Sequence, residues 1–351
     1  MSFKKKINAF RRKTTRAITG GIGKSKAGAA IKKIQPAAVK TILINRPNHR
    51  LGNLLLITPL VQELIEQFPN CRIDLFVKGG LSPIIFENYP QIDRIIRLPK
   101  KPFKEPGKYL KVWATIRNRK YDLVVNVDKG SSSGRISTKV ARSTYKIFGD
   151  EHESILTDFP DGIHIAKRPV YLLRANIEGY NHNAQTQPMP VLNIKLTEQE
   201  LAKGKEILDG LVSAERKTIS IFTYATGNKC YTPEWWEQFY EALKNRFSEY
   251  NILEVLPAEN VSQLGFKIPH FYSMDVREIA SLIANTHFFV GADSGMMHLA
   301  SASLAATVGL FSVTNMAVYE PYGHKSFGIN TAETTVEEMI NRISQMAQQI
   351  D

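Results

Sequence analysis

The 351-residue sequence has only two cysteines, Cys71 and Cys230, far apart and outside any CxxC or Cys/His pattern. That excludes a disulfide framework and a structural zinc site of ordinary spacing, and points to a reducing compartment. No apolar run approaches the roughly 18 residues that a spanning helix requires. The opening MSFKKKINAFRRK also lacks the continuous apolar core of a signal peptide. Both absences read as a cytoplasmic protein. No GxGxxG follows any apolar strand, which speaks against a dinucleotide-dependent dehydrogenase. GGIGKSKAG (20–28) has the Gly-Lys-Ser of a phosphate loop, but the motif's first glycine would have to stand where Ile18 is, and no strand precedes it.

Acidic residues are missing from the front of the chain. Residues 1–40 hold twelve of the 46 Lys/Arg and none of the 33 Asp/Glu, so the net charge of +13 lies almost wholly there and 34 basic residues face 33 acidic ones in the remainder. A near-neutral body does not read as a nucleic-acid-binding surface, and no nucleic-acid partner is expected. A basic arm suits an anionic membrane surface instead. Phe3, Ile7, Phe10 and Ile18 recur among the cations at near-helical spacing, as in an interfacial segment in which each Lys/Arg contributes on the order of 1 kcal/mol. A solvated, disordered tail would have the same composition.

From residue 41 short apolar strands alternate with amphipathic helices. TILIN, CRIDLFVKG, DRIIRLP, YDLVVNVD and STYKIFGD read as strands, with helices over LLLITPLVQELIEQF and YLKVWATIRNRK. The polar stretch NHNAQTQPMP (181–190) reads as a linker. Beyond it RKTISIFTYA, NILEVLP, HFFVGAD and AATVGLFSV read as strands, and TPEWWEQFYEALKNRF, VREIASLIANT, MMHLASASL and TVEEMINRISQMAQQI as helices, the last opened by a capping box from Thr335 to Glu338. Such alternation predicts parallel sheets with crossover helices. The expected organisation is a basic arm (1–40), an N-terminal Rossmann-like domain (41–180), a linker (181–190) and a C-terminal Rossmann-like domain with a closing helix (191–351), the two domains facing across a cleft. In doubly wound sheets ligands sit beyond the carboxyl ends of the strands, so the loops after TILIN, VVNVD, ISIFTYA, ILEVLP and FFVGAD are the candidates.

In GADSGMMHLASA (291–302) a strand delivers Asp293, Ser294 and Gly295 to the first turn of a helix. Exposed amides there form an anion site, the Ser294 hydroxyl can donate, and Gly295 lets a phosphate approach the backbone. On spacing alone, Asp293 or Ser294 fits equally well as a helix cap and His298 as a packed core residue. TYATGNKCYTPEWW (223–236) is a second junction of this kind, with Thr232 as cap, Pro233 at the first helical position and Lys229 just ahead. A loop lysine can meet a phosphate as a point charge or simply be solvated. Glu259, after NILEVLP, could accept from a ribose diol or remain an exposed carboxylate. Near the start, RLGNLLLITPL puts Gly52 in a tight turn and Asn53 at the N-cap position of a helix.

Taken in order, these segments resemble glycosyltransferase family 9, the heptosyltransferases of lipopolysaccharide core assembly, over about residues 40–330. The DSGMMHL segment is the strongest piece. The resemblance implies an α/β GT-B fold, two doubly wound Rossmann-like domains facing across a cleft, and inverting transfer of a sugar from a nucleotide-sugar donor, ADP-heptose in the family. Ser294, Gly295, Met296 and His298 then match the donor diphosphate segment, with Asp293 beside them, Lys229 the phosphate-contacting lysine and Glu259 the ribose carboxylate. The acceptor side, for a lipid-linked glycan, would be Gly52 and Asn53 of the first loop with Ser131, Ser132, Ser133 and Arg135. No Asp-x-Asp occurs anywhere, consistent with a diphosphate site made by protein alone, without metal or bound cofactor.

The family usually has Gly-Asp in the first loop, and this chain has Gly52-Asn53. An amide cannot take the hydroxyl proton, so Asn53 is assigned to orienting the acceptor and Asp128 or His49 to the base. The alternative is a membrane-bound nucleotide-sugar binder that no longer transfers. For the arm, flotation with anionic vesicles should be lost when residues 1–35 are removed or salt is raised. Equal flotation of both forms would show that the arm does not read lipid charge.

Overall fold

The computed structural model describes residues 21–22, 32–99, 105–150, 157, 159–180 and 187–350. The expectations for arm residues 1–20 and 23–31 and for linker residues 181–186 lie outside the described residues. Two compact units emerge. The first is built from described residues within Met1–His49, Pro59–Pro83 and Tyr89–Pro190, and the second from Arg50–Thr58, Ile84–Asn88 and Val191–Asp351.

In the first unit β1 (Thr41–Asn45), β2 (Arg72–Lys78), β3 (Ile92–Leu98), β4 (Lys120–Asn126) and β5 (Arg142–Ile147) form one sheet in the order β3-β2-β1-β4-β5. Every pairing is parallel. Strands covered on both faces read as continuous apolar runs, and the central residues Ile42, Leu43 and Ile44 are wholly buried. Helix Pro106–Asn118 packs Trp113 edge-on against Phe76 of β2, centroids 5.8 Å apart. The unit begins before residue 41: Ile34 is buried and pairs in parallel with Ile177, its N–H donating to the Asn176 carbonyl at 2.7 Å. At the other end Arg174 holds Glu63 through two bonds of 2.8 and 2.7 Å and also donates to the carbonyls of Gln187 and Pro188. The described part of the expected linker is thus pinned to this unit. Cys71 is buried, and burial pushes its thiol up to about 11, so it is an inert core residue.

The expected continuous helix LLLITPLVQELIEQF is two, Leu51–Leu55 and Thr58–Gln67. Pro59 explains the break: it has no N–H to donate and crowds the helical conformation of the residue before it. Thr58 meets the new end by donating its hydroxyl to the Leu55 carbonyl at 2.8 Å.

The second unit contains β6 (Thr218–Phe222), β7 (Asn251–Val255), β8 (His270–Phe271), β9 (Phe288–Ala292), β10 (Thr307–Phe311) and β11 (Phe327–Asn330), all parallel, in the order β11-β10-β9-β6-β7-β8. β6, β9 and β10 are buried end to end. Both sheets are therefore doubly wound, each reversing its order beside its first strand, as the expected α/β class requires. Helix Glu198–Leu211 lies against helix Val276–Ala284 at Gly204, where a Cβ would stand 2.3 Å from the Ser281 carbonyl. Among the described residues no helix is long and apolar enough to cross a membrane.

Arg277 ties this unit together. It is 6% exposed, ion-pairs with Glu200, and donates to the carbonyls of Ile84, Ile194 and Lys195, so it anchors segment 84–88. The Arg277 guanidinium holds the Glu200 carboxyl down at about 2. A depressed folded-state pKa contributes stability above the unfolded value near 4.3 and loses it as pH falls toward the folded value. Glu200→Gln keeps the capping box with Thr197 but removes the charge. It should cost about 1–3 kcal/mol at pH 7 by urea unfolding, with the gap from wild type closing between pH 4.5 and 2. A gap independent of pH would show that the ion pair is not its source.

Candidate functional site

In the second unit the order reverses between β6 and β9. β6 runs through Thr223 to a short 3-10 turn, Gly227–Lys229, whose Gly227 has φ +67. β9 runs through Asp293 to helix Gly295–Ala302. The two loops meet: Lys229 Nζ donates to Asp293 Oδ2 at 2.5 Å. The Asp293 side chain is 6% exposed and that of Lys229 37%, so the acid is the buried anchor and the ammonium the end that faces water.

Ser294 caps the helix, its Oγ accepting from the Met297 amide at 3.4 Å. The hydroxyl proton is left to donate elsewhere, and helix geometry leaves the first-turn amides of Gly295 and Met296 without intrahelical acceptors. Ser294, Gly295 and Met296 are half-buried, whereas Met297 and His298 are buried on the core side. Five of the expected donor-site residues, Lys229, Asp293, Ser294, Gly295 and Met296, therefore come together. The arrangement offers one ammonium, one hydroxyl donor and two free amides to an anion.

Helix Leu51–Leu55 lies against the same turn. A Cβ on Gly52 would stand 2.6 Å from Cδ2 of His298 and 3.4 Å from Cα of Gly295, and one on Gly295 would stand 3.2 Å from Leu51 Cβ. The two backbones cross glycine on glycine. This corrects the reading of the first loop: Gly52 is helical rather than part of a turn, Arg50 rather than Asn53 stands at the N-cap position, and Asn53 is the helix's third residue. Segment 50–58 also clusters with the second unit, although it was read as part of the N-terminal domain.

Glu259 is exposed in the loop after β7. Within β7 itself Glu254, 0% exposed, accepts from the hydroxyls of Thr223 and Ser262 at 2.5 Å each, and burial pushes its carboxyl up from the usual range. Thr223, Glu254 and Ser262 were not singled out from sequence. The available signal was an acid inside the otherwise apolar NILEVLP.

The remaining expected residues lie in the first unit, at the carboxyl ends of β1 and β4, its own point of reversal. Arg46 Nη1 donates to Asp128 Oδ2 at 2.7 Å, and Asp128 Oδ1 accepts the Gly130 amide at 2.9 Å. Each carboxylate oxygen keeps a lone pair free. The expected Ser-rich loop is helical from Ser132, with Ser131 as its cap, and Ser131, Ser132 and Ser133 are half-buried. Gly134 allows that helix to seat on Asn126, whose Oδ1 would lie 2.1 Å from a Cβ there. Arg135, expected to meet an acceptor, is 2% exposed and paired with Asp150 at 3.0 Å, so its charge is already taken. His49 lies against Gly79, whose added Cβ would fall 2.8 Å from the His49 Cβ. Among the described residues no three His, Cys, Asp or Glu side chains gather as a metal site.

The glycine crossing has a measurable consequence. Gly52→Ala drives a methyl into a buried imidazole and should lower stability by about 1–3 kcal/mol in urea unfolding. A wild-type midpoint would show that the crossing has slack.

Comparison with known proteins agrees with this geometry. The family profile described as "Glycosyltransferase family 9 (heptosyltransferase)" matches residues 109–346. Lipopolysaccharide heptosyltransferase 3 of Escherichia coli K12 is 21% identical over 286 residues, 77% of this chain and 82% of the relative. Among solved structures, a family 9 glycosyltransferase from Veillonella parvula DSM 2008 superposes with a TM-score of 0.69 at 16% identity, covering 88% of this chain and 97% of its own. The E. coli ADP-heptose LPS heptosyltransferase II superposes with 0.63 at 16%, covering 88% and 99%, and E. coli heptosyltransferase WaaC with ADP gives 0.62 at 15%, covering 89% and 100%. A match over that much of the sequence, on a fold of two doubly wound units with an anion-type turn at the reversal of the second sheet, makes this chain a member of glycosyltransferase family 9, the heptosyltransferase family.

Proposed function

We propose that the protein transfers a sugar, a heptose from ADP-heptose, to a lipopolysaccharide-core or related lipid-linked glycan, working at the inner face of the cytoplasmic membrane. The observation that carries this reading is the convergence of Lys229, Asp293 and the Ser294-capped turn where the second sheet reverses its order. Solved relatives named as complexes with ADP and with ADP-2-deoxy-2-fluoro heptose support the choice of donor.

The reaction is a single displacement. An acceptor hydroxyl oxygen forms a bond to the anomeric carbon as the bond from that carbon to the diphosphate oxygen breaks, with inversion. The bonding pair leaves on ADP and the hydroxyl proton passes to a base. Charge growing on the departing diphosphate is met by Lys229, the Ser294 hydroxyl and the amides of Gly295 and Met296, with no divalent metal needed in that role. Asp293 holds the ammonium in place. Glu259 takes the ribose hydroxyls. Asn53, one residue from the glycine crossing, orients the acceptor hydroxyl, and Asp128, held by Arg46 and the Gly130 amide, takes the proton. Ser131, Ser132 and Ser133 contact the acceptor. Arg135 orders that turn through Asp150 rather than touching a ligand.

A second reading follows from Asn53 itself: an amide where the family usually has a carboxylate suits a nucleotide-sugar binder that does not transfer. ADP release from ADP-heptose in the presence of a lipid-linked acceptor, read with the mass of the glycan product, separates the two. Transfer should fall about 100- to 1,000-fold in Lys229→Ala and about 100- to 10,000-fold in Asp128→Asn. Donor binding without ADP release in the wild type would favour the binder, and an unimpaired Asp128→Asn enzyme would remove Asp128 as base.

A further inference from the structure

We infer that Glu254 is a positioning residue of the donor site: its buried carboxylate joins the loop that carries Lys229 to the loop that carries Glu259. The inference rests on the reading that those two loops take the nucleotide.

Glu254 lies in β7 between β6 and β8, fully buried, with its own amide donating to the Pro269 carbonyl at 2.9 Å. A carboxylate in that position is costly unless its lone pairs are satisfied, and sheet packing alone would be served as well by an apolar side chain. Its two oxygens bind hydroxyls rather than a cation: Oε1 accepts from Thr223 and Oε2 from Ser262, each at 2.5 Å. Because both hydroxyl protons point at Glu254, the hydroxyl lone pairs are turned toward backbone amides. Thr223 Oγ1 accepts from Gln263 at 3.3 Å, and Ser262 Oγ accepts from Leu264 at 3.0 Å and Phe266 at 3.2 Å. One acid therefore aligns two hydroxyls and three amides, drawn from the ends of both β6 and β7.

The loop so held has a conformation that needs holding. Asn260, Gly265 and Phe266 adopt φ +51, +64 and +59; Gly and Asn accept such left-handed angles readily, but they cost the Phe266 side chain energy. Phe266 is half-exposed and gains little from burial, so its backbone depends on the bond to Ser262. Glu259 sits next to Asn260, whose amide donates to the Pro257 carbonyl at 2.8 Å. Without the network the loop can relax toward ordinary angles and carry Glu259 away from its place relative to Lys229. The role is thus to fix the span between the ribose end and the phosphate end of one ligand.

The test uses the full chain. ADP binding by calorimetry, donor KM and kcat, and hydrogen exchange over 257–266 are compared for wild type, Glu254→Leu, Glu254→Gln, Ser262→Ala and Glu259→Gln. Glu254→Leu and Ser262→Ala should weaken ADP binding about tenfold or more, raise donor KM with kcat little changed, and speed exchange of the 263–266 amides. Glu254→Gln, which can accept from one hydroxyl and donate to the other, should stay within about threefold of wild type. Ser262 is half-buried, so its variant reports even where Glu254→Leu does not fold. Unchanged ADP affinity in Ser262→Ala and in any folded Glu254→Leu, with Glu259→Gln weakened, would overturn the inference alone. Failure of wild type to bind ADP, or a Glu259→Gln protein that binds it normally, would overturn the donor-site reading and the inference with it.

Discussion

Lys229 and Asp293 stand 64 residues apart in sequence and 2.5 Å apart in space, and the anion-type turn of the second unit is organised around that pair. The pairing is a product of topology. A sheet that reverses its order sends successive crossovers to opposite faces, so the loops after the two flanking strands part company and leave polar backbone uncovered between them. Something must bridge the opening. In this protein a buried carboxylate draws a half-exposed ammonium across it, while the adjacent helix opens with amides that have no partners of their own. The first sheet meets the same demand in the same way, with Arg46 from the end of β1 bound to Asp128 from beyond the end of β4. An anion arriving at the second pair would find the ammonium already placed, so little ordering entropy would remain to be lost on binding.

The second constraint is steric. Two backbones approach at Gly52 and Gly295 more closely than side chains would allow, and the buried imidazole of His298 closes over the place where a Cβ would go. A helix N-terminus is useful to an anion only if its first turn is rigid and its amides remain open. Packing a second short helix against that turn through glycines meets both conditions, because no side chain from either glycine intrudes on the amides. Leu54 and Leu55, fully buried, supply the apolar contact that keeps the short helix in place.

Most of the architecture could be read from sequence because buried parallel strands announce themselves: TISIF, FFVGA and TVGLF have no polar face to disguise them. The caps at Thr232 and Thr335 were readable for a similarly local reason, since a hydroxyl ahead of a helix needs only its own next turn. What escaped were the contacts that join distant segments. Nothing in RLGNLLLITPL says that Gly52 faces His298 rather than a turn, and the Pro59 break looked survivable beside so strong an apolar pattern. Arg135 looked available in a Ser-rich stretch because Asp150, which neutralises it, is fifteen positions away. Glu254 was hidden by its neighbours: an acid in a strand usually marks a solvent face, and only the hydroxyls of Thr223 and Ser262 let this one remain inside. The residues that converge on the turn after β9 were legible as separate loops, but their convergence depends on the strand order, which alternation alone does not specify.

These two constraints bear on the amide at position 53. Asn53 follows Gly52 in a helix that packs on the first turn of Gly295–Ala302, so it belongs with the second unit. On the proposed reading the departing diphosphate gathers negative charge at that turn. A carboxylate one residue from the glycine crossing would take the hydroxyl proton, but it would also repel the growing charge, at a cost that rises as water is excluded. An amide gives up the base and removes the repulsion, while its carbonyl can still accept from the acceptor hydroxyl and its NH2 can still donate. The loss in proton transfer and the gain in leaving-group stabilisation act on the same transition state in opposite directions. On that proposed reading, Asn at position 53 would shift the demand for a base elsewhere without making the site unfit for transfer, and Asp128, held by Arg46 and the Gly130 amide, is the carboxylate proposed to meet it.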